Sequence, residues 1–113
     1  MNVYCDSSIR EACVVVEGQE PTIIPYDKVV TNNVGEYKAV IEALNIARNR
    51  HLNQVVIYTD SLLVVNQVSG EWKCRKPHLL PFRDQVRSFL ATRGAKLRWC
   101  PREDNLAGLV FDG

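Results

Sequence analysis

The chain has no apolar run of membrane-spanning length; its longest, such as Ala12 to Val16, are strand-sized. Its start, Met1 into Val3-Tyr4-Cys5, lacks the basic region, apolar stretch and cleavage site of a secretory signal. No membrane partner and a cytoplasmic location are therefore expected. There is no C-x-x-C pair, and the two histidines, His51 and His78, have no ligand-like spacing to any cysteine, which disfavours a zinc site. Cys5, Cys13, Cys74 and Cys100 read instead as reduced, mostly buried small hydrophobes. Repeats, low-complexity tracts and linkers are missing too, so residues 1–113 read as a single domain. A composition of 46% hydrophobic and 24% charged residues excludes intrinsic disorder and permits a modest core.

The formal net charge of +1 conceals a division along the chain. Glu71 to Arg102 holds nine Lys/Arg against two acids, whereas the first seventy residues carry five basic and eight acidic groups. Such a chain can hold cations in one place and phosphates in another. By itself the division fits a solvated basic face equally well.

Strands are expected at Asn2 to Cys5, Ala12 to Val16, Thr22 to Tyr26, Val55 to Tyr58 and Lys96 to Cys100. Pro25 cannot donate to a ladder, so the third strand belongs at an edge. In the fifth, Leu97 and Trp99 alternate against Lys96, Arg98 and Cys100, which suggests one wet face. Tyr37, Val40, Ile41, Leu44 and Ala47 recur at helical spacing and predict a helix over 34–49. Two more helices are expected at 61–68 and 79–90, the latter begun by Pro77 and Pro81 and stopped by Gly94. About a dozen residues follow Pro101. This order calls for a mixed sheet with helices packed on it, strands 1 to 3 antiparallel and strands 1, 4 and 5 parallel.

Three acids stand at element boundaries. Asp6 ends the first strand, Asp60 ends the fourth, and Glu36 lies in the first turn of the first helix. If strands 1 and 4 are parallel neighbours, both aspartates emerge at the carboxyl edge, where open α/β sheets bind ligands. Each acid also has a plain structural explanation. Asp6 suits a turn, Asn33 and Glu36 suit a capping box, and Thr59-Asp60-Ser61 suits a helix N-cap. Clustered carboxylates, however, repel one another unless a counter-ion joins them. A pair of divalent ions about 4 Å apart removes that penalty and can drive phosphodiester hydrolysis.

Four segments carry a family resemblance: Tyr4-Cys5-Asp6-Ser7; Thr31-Asn32-Asn33-Val34-Gly35-Glu36 with its following helix; Thr59-Asp60-Ser61 with the run to Lys73; and Pro101-Arg102-Glu103-Asp104-Asn105. Together the sequence resembles type 1 ribonuclease H over nearly its whole length. The resemblance implies an α/β fold with a five-stranded mixed sheet of order 3-2-1-4-5 and helices on its faces. It implies an endonuclease that cuts the RNA strand of RNA–DNA hybrids using two divalent cations, Mg2+ or Mn2+, leaving 3′-hydroxyl and 5′-phosphate ends. Asp6 would bridge both ions, and Glu36 and Asp60 would complete one of them. No obligate protein partner is evident, and a monomer is expected.

The chain departs from the family at its end. Matching Ala107 to the family pattern puts Gly108 where a fourth aspartate is usual, and little length remains for a final helix. Asn105 is the expected substitute, its amide oxygen serving as a neutral ligand, with Asp104 and Asp112 as competing candidates. On that reading Asn105→Asp should tighten metal binding. Arg102 stands in the loop where many members carry a histidine, which leaves the proton step unassigned.

By the same resemblance, Asn32, Asn33 and Ser61 would contact the hybrid, the two asparagines in its minor groove, or one of them would cap the helix. Trp72, Lys73, Arg75, Lys76 and Arg102 are the expected contacts to the rest of the substrate, the DNA backbone above all. Trp72 suits a half-buried core position equally well. Two rivals remain. One is a non-catalytic nucleic-acid-binding module derived from a nuclease, and the other is a DNA-acting nuclease of the same fold.

Overall fold

A computed structural model of the chain describes residues 1–112. Three strands come first: β1 (Asn2–Ser7), β2 (Glu11–Val16) and β3 (Thr22–Pro25). After them come α1 (Asn32–Asn49), β4 (Val56–Thr59), α2 (Leu62–Ser69), α3 (Leu80–Arg93), β5 (Lys96–Trp99) and α4 (Leu106–Asp112). Single turns of 3-10 helix, Pro77–Leu79 and Arg102–Asp104, lead into α3 and α4.

The strands form one sheet of order β3-β2-β1-β4-β5, the order that the resemblance implied. β1 and β2 pair antiparallel, as do β2 and β3, while β1–β4 and β4–β5 are parallel. Pro25 does lie on an edge strand, where its missing N–H is tolerated.

Periodicity places α1. Tyr37, Val40, Ile41, Leu44 and Ala47 are all buried, packed with Val3, Cys5, Val14, Val16 and Ile57 from the sheet. The helix starts at Asn32, two residues earlier than the apolar pattern suggests, because Thr31 is its N-cap and accepts from the Val34 N–H at 3.3 Å. Neither Asn32 nor Asn33 caps it, and Glu36 is thereby free of a capping task. α2 is capped by Ser61, whose Oγ accepts from Val64 N–H at 3.2 Å. The Tyr37 hydroxyl donates to Gln67 Oε1 at 2.7 Å in the interior, which ties α1 to α2.

α3 continues a turn past Leu90, because nothing stops the helix until Gly94 takes the left-handed conformation at φ 62°. α4 covers part of the opposite sheet face, where Ala107 packs with Cys13 and Val15, beside Tyr4 and Phe111. β5 differs from its expected pattern: Cys100, just past it, is buried, and Trp99 is 44% exposed. β5 is an edge strand of the sheet. All four cysteines are free thiols, three of them buried. Among the described residues no helix is long and apolar enough to cross a membrane.

Candidate active site

Parallel pairing of β1 with β4 sets Tyr4 opposite Tyr58, so both strands deliver their next carboxylate, Asp6 and Asp60, to the same edge. Glu36 reaches that edge because α1 passes unusually close to β1. Tyr26 Oη lies 2.7 Å from Ser7 Oγ and donates to the Gly35 carbonyl at 3.1 Å, pinning the first turn of α1 to the strand end. At Gly35 a Cβ would collide with Ser7 Oγ, so a residue with any side chain would push Glu36 away. Gly35 lies inside the segment that carries the resemblance, but its steric role and that of Tyr26 are visible only in three dimensions.

One carboxylate oxygen from each of Asp6, Glu36 and Asp60 lies within 4.8 Å of the others. Asp6 is 1% exposed, and Glu36 Oε2 is buried with no hydrogen-bond partner. Such an arrangement of bare charges is unfavourable. Burial, followed by repulsion from Asp6 and Asp60, pushes the Glu36 carboxyl up to about 8. Asp6 is raised by its own burial and by Asp60, with Arg102 pulling the other way. An all-oxygen, anionic donor set with an unpartnered buried oxygen suits a hard divalent cation.

Asp60 is steadied from two sides. Its backbone carbonyl accepts from the indole Nε1 of Trp99 at 3.2 Å, a contact the strand pattern gave no reason to expect. Its Oδ2 accepts from Asn105 Nδ2 at 3.3 Å. That second contact brings Asn105 to the cluster by its amide nitrogen, not by the oxygen expected of it. The same Nδ2 donates to the Cys5 carbonyl at 3.0 Å, while Oδ1 accepts from the Ala107 N–H at 3.1 Å. Turning the amide over would set oxygen against the Cys5 carbonyl and NH2 against a backbone donor. The amide oxygen is thus spent on starting α4, and the group facing the cluster is a donor.

Arg102 stands at the cluster itself. Its Nη1 donates to Asp6 Oδ2 at 2.7 Å and to Asp60 Oδ2 at 3.0 Å. Nε and Nη2 are held by the Asp112 carboxylate at 3.3 and 3.0 Å. Asp112 therefore meets the cluster through an arginine, and Asp104 is exposed in the preceding turn, outside it.

The other candidates lie on the surface. Asn32 and Asn33 are exposed at the start of α1, beside Glu36. Trp72, Lys73, Arg75 and Lys76 are exposed in the segment after α2, with Trp72 at 47%, so the core alternative for that ring is not realised. Ser61 is engaged as the α2 cap.

The chain matches the family model described as reverse transcriptase-like over residues 6–108. The bifunctional protein Rv2228c of Mycobacterium tuberculosis (strain H37Rv) is 37% identical over 76 residues, which are 66% of this chain and 21% of that protein. The chain thus spans about a fifth of the length of that relative. The N-terminal RNase H domain of the same mycobacterial protein, solved as a maltose-binding-protein fusion, has a TM-score of 0.74 at 26% identity, covering 98% of this chain and 92% of that one. RNase H1 of the halophilic archaeon Halobacterium salinarum NRC-1 reaches 0.81 at 27% identity, covering 94% and 89%. LC11-RNase H1, solved in complex with an RNA/DNA hybrid, shares the fold at 0.76 and 24% identity, covering 93% and 88%. The family match runs from the aspartate that follows Cys5 to the glycine inside α4, and the chain belongs to the reverse transcriptase-like family, built on the ribonuclease H fold.

Proposed function

We propose that the protein is a divalent-metal-dependent endoribonuclease that hydrolyses the RNA strand of RNA–DNA hybrids, leaving 3′-hydroxyl and 5′-phosphate ends. The observation that carries this reading is the meeting of Asp6, Glu36 and Asp60 at the carboxyl edge of the sheet, with Glu36 Oε2 buried and unpartnered. The RNase H1 structures of the same fold support the substrate class.

Asp6, Glu36 and Asp60 would hold the cation, Mg2+ or Mn2+. When bound, it supplies Lewis-acid stabilisation of the phosphate and of the departing oxygen, and lowers the proton affinity of water. The chain's own part is to hold the acids rigidly. Trp99 and Asn105 fix Asp60, and Tyr26 with Gly35 fixes the approach of Glu36. Asn32 and Asn33, exposed one turn ahead of Glu36, would read the 2′-hydroxyl-lined minor groove. The exposed Trp72, Lys73, Arg75 and Lys76, in the segment after α2, would meet the DNA backbone. The two-ion form implied by the resemblance would need a second set of ligands around Asp6, and among the described residues no further acid joins that cluster.

A second reading, a non-catalytic hybrid-binding module, is favoured by one observation: Arg102 already pairs with two of the three carboxylates. A cleavage assay separates the two. Labelled RNA–DNA hybrid, double-stranded RNA and double-stranded DNA are each incubated with magnesium, manganese or chelator. Cleavage of the hybrid alone, dependent on metal and lost in Asp6→Asn, is the expected result. Hybrid binding without cleavage under both metals would install the second reading.

A further inference from the structure

We propose that the guanidinium of Arg102 is a resident cation in the second positive position beside Asp6, so that the site takes up one divalent ion rather than two. The inference rests on the metal-binding reading of Asp6, Glu36 and Asp60.

The first argument is where the guanidinium sits. Nη1 reaches Oδ2 of both Asp6 and Asp60, whereas Glu36 Oε2 receives no partner at all. Arg102 therefore occupies one side of the two aspartates and leaves the side toward Glu36 open to an ion.

The second argument is that the seat is built for an arginine. Asp112 grips Nε and Nη2 from behind, the two-pronged geometry that suits a guanidinium and fixes its orientation. Gly108 makes the room: a Cβ there would lie 3.1 Å from Cζ and Nη1 of Arg102 and 3.2 Å from Nε, tight against the whole planar group. A side chain at position 108 would press on the guanidinium, which would have to give by a few tenths of an ångström, and glycine spares it that.

The third argument is charge. Asp6, Glu36, Asp60 and the Asp112 behind the guanidinium carry four negative charges, against which Arg102 and one divalent ion bring three positive ones. A second divalent ion would turn the balance positive and would stand against a fixed positive group. Arg102 would then supply, from the chain itself, the positive charge that a second ion would otherwise bring to the phosphate.

The test is Mn2+ uptake by the full chain without nucleic acid, followed by calorimetry and by the loss of the free-ion electron paramagnetic resonance signal. The unmodified chain is expected to bind one Mn2+. Arg102→Gln should bind Mn2+ more tightly, on the order of tenfold, or take a second ion, since removing a nearby positive charge favours the cation. Gly108→Ala should shift affinity in the same direction although it alters no charge, because it displaces the guanidinium. Two ions on the unmodified chain, or unchanged uptake in both Arg102→Gln and Gly108→Ala, would overturn the proposal while leaving the metal-binding reading intact. No uptake by any of these chains, or uptake indifferent to Asp60→Asn, would bring down the metal-binding reading and the proposal with it.

Discussion

Glu36 and Asn105 show how much one side chain can decide. In the folded chain without metal the Glu36 carboxyl is pushed from 4.5 to about 8 by burial and by the two aspartates. Between those values the unfolded chain has released a proton that the folded chain retains, so stability falls as pH rises through that window. Thermal unfolding in chelator should therefore show a lower Tm at pH 8 than at pH 5, and Glu36→Gln should flatten the difference. Parallel curves for the two proteins would contradict the burial argument. For Asn105 the amide nitrogen, and not the oxygen, faces the cluster. An aspartate there would turn an oxygen toward the Cys5 carbonyl and the Asp60 carboxylate, both acceptors. Asn105→Asp should lose about 2–4 kcal/mol in denaturant unfolding, because a buried charge would replace a satisfied amide, and metal affinity should not improve. The sequence held no sign of this, since two of the groups that orient the amide, Cys5 and Asp60, come from distant parts of the chain.

Among the elements, the β1–α1 contact matters most for the site. Gly35→Ala should leave the core of α1 in place, since Tyr37, Val40 and Leu44 remain buried, yet move its first turn off Ser7. The expected loss is about 1–3 kcal/mol of stability, the cost of overpacking at a tight contact. A larger effect is expected on metal-induced stabilisation, read as the Tm difference between chelator and Mn2+. An unchanged difference would mean that Glu36 does not depend on that approach. Elements were also the level most legible in the sequence. Helix α1 was readable from a five-residue apolar repeat, and the three acids because each ends or begins an element. The seat of Arg102 was not readable, because it depends on a glycine six residues on and on an acid at the end of α4, brought together only by the turn of the chain.

At the scale of the whole molecule, charge is divided between an acidic edge and a basic stretch after α2. If Lys73, Arg75 and Lys76 meet phosphates, hybrid binding should weaken with added salt. Neutralising all three should reduce the slope of log K against log salt by about two to three, near one unit for each phosphate no longer neutralised. An identical slope in the triple variant would remove them from the interface. Basic composition pointed to this stretch, but composition does not tell a solvated face from a binding one, and exposure of all three fits both.

The pairing of β1 with β4 stops at Tyr4 and Tyr58, two residues short of the aspartates. Past that point two side chains bridge the strand tips: Asn105, strung from the Cys5 carbonyl to the Asp60 carboxylate, and Arg102, shared between the Asp6 and Asp60 carboxylates. The spacing of the acids is therefore adjustable at those two positions. A side chain longer by one methylene, as in Asn105→Gln, would pry the tips apart like a shim and retune which ion radius fits between them.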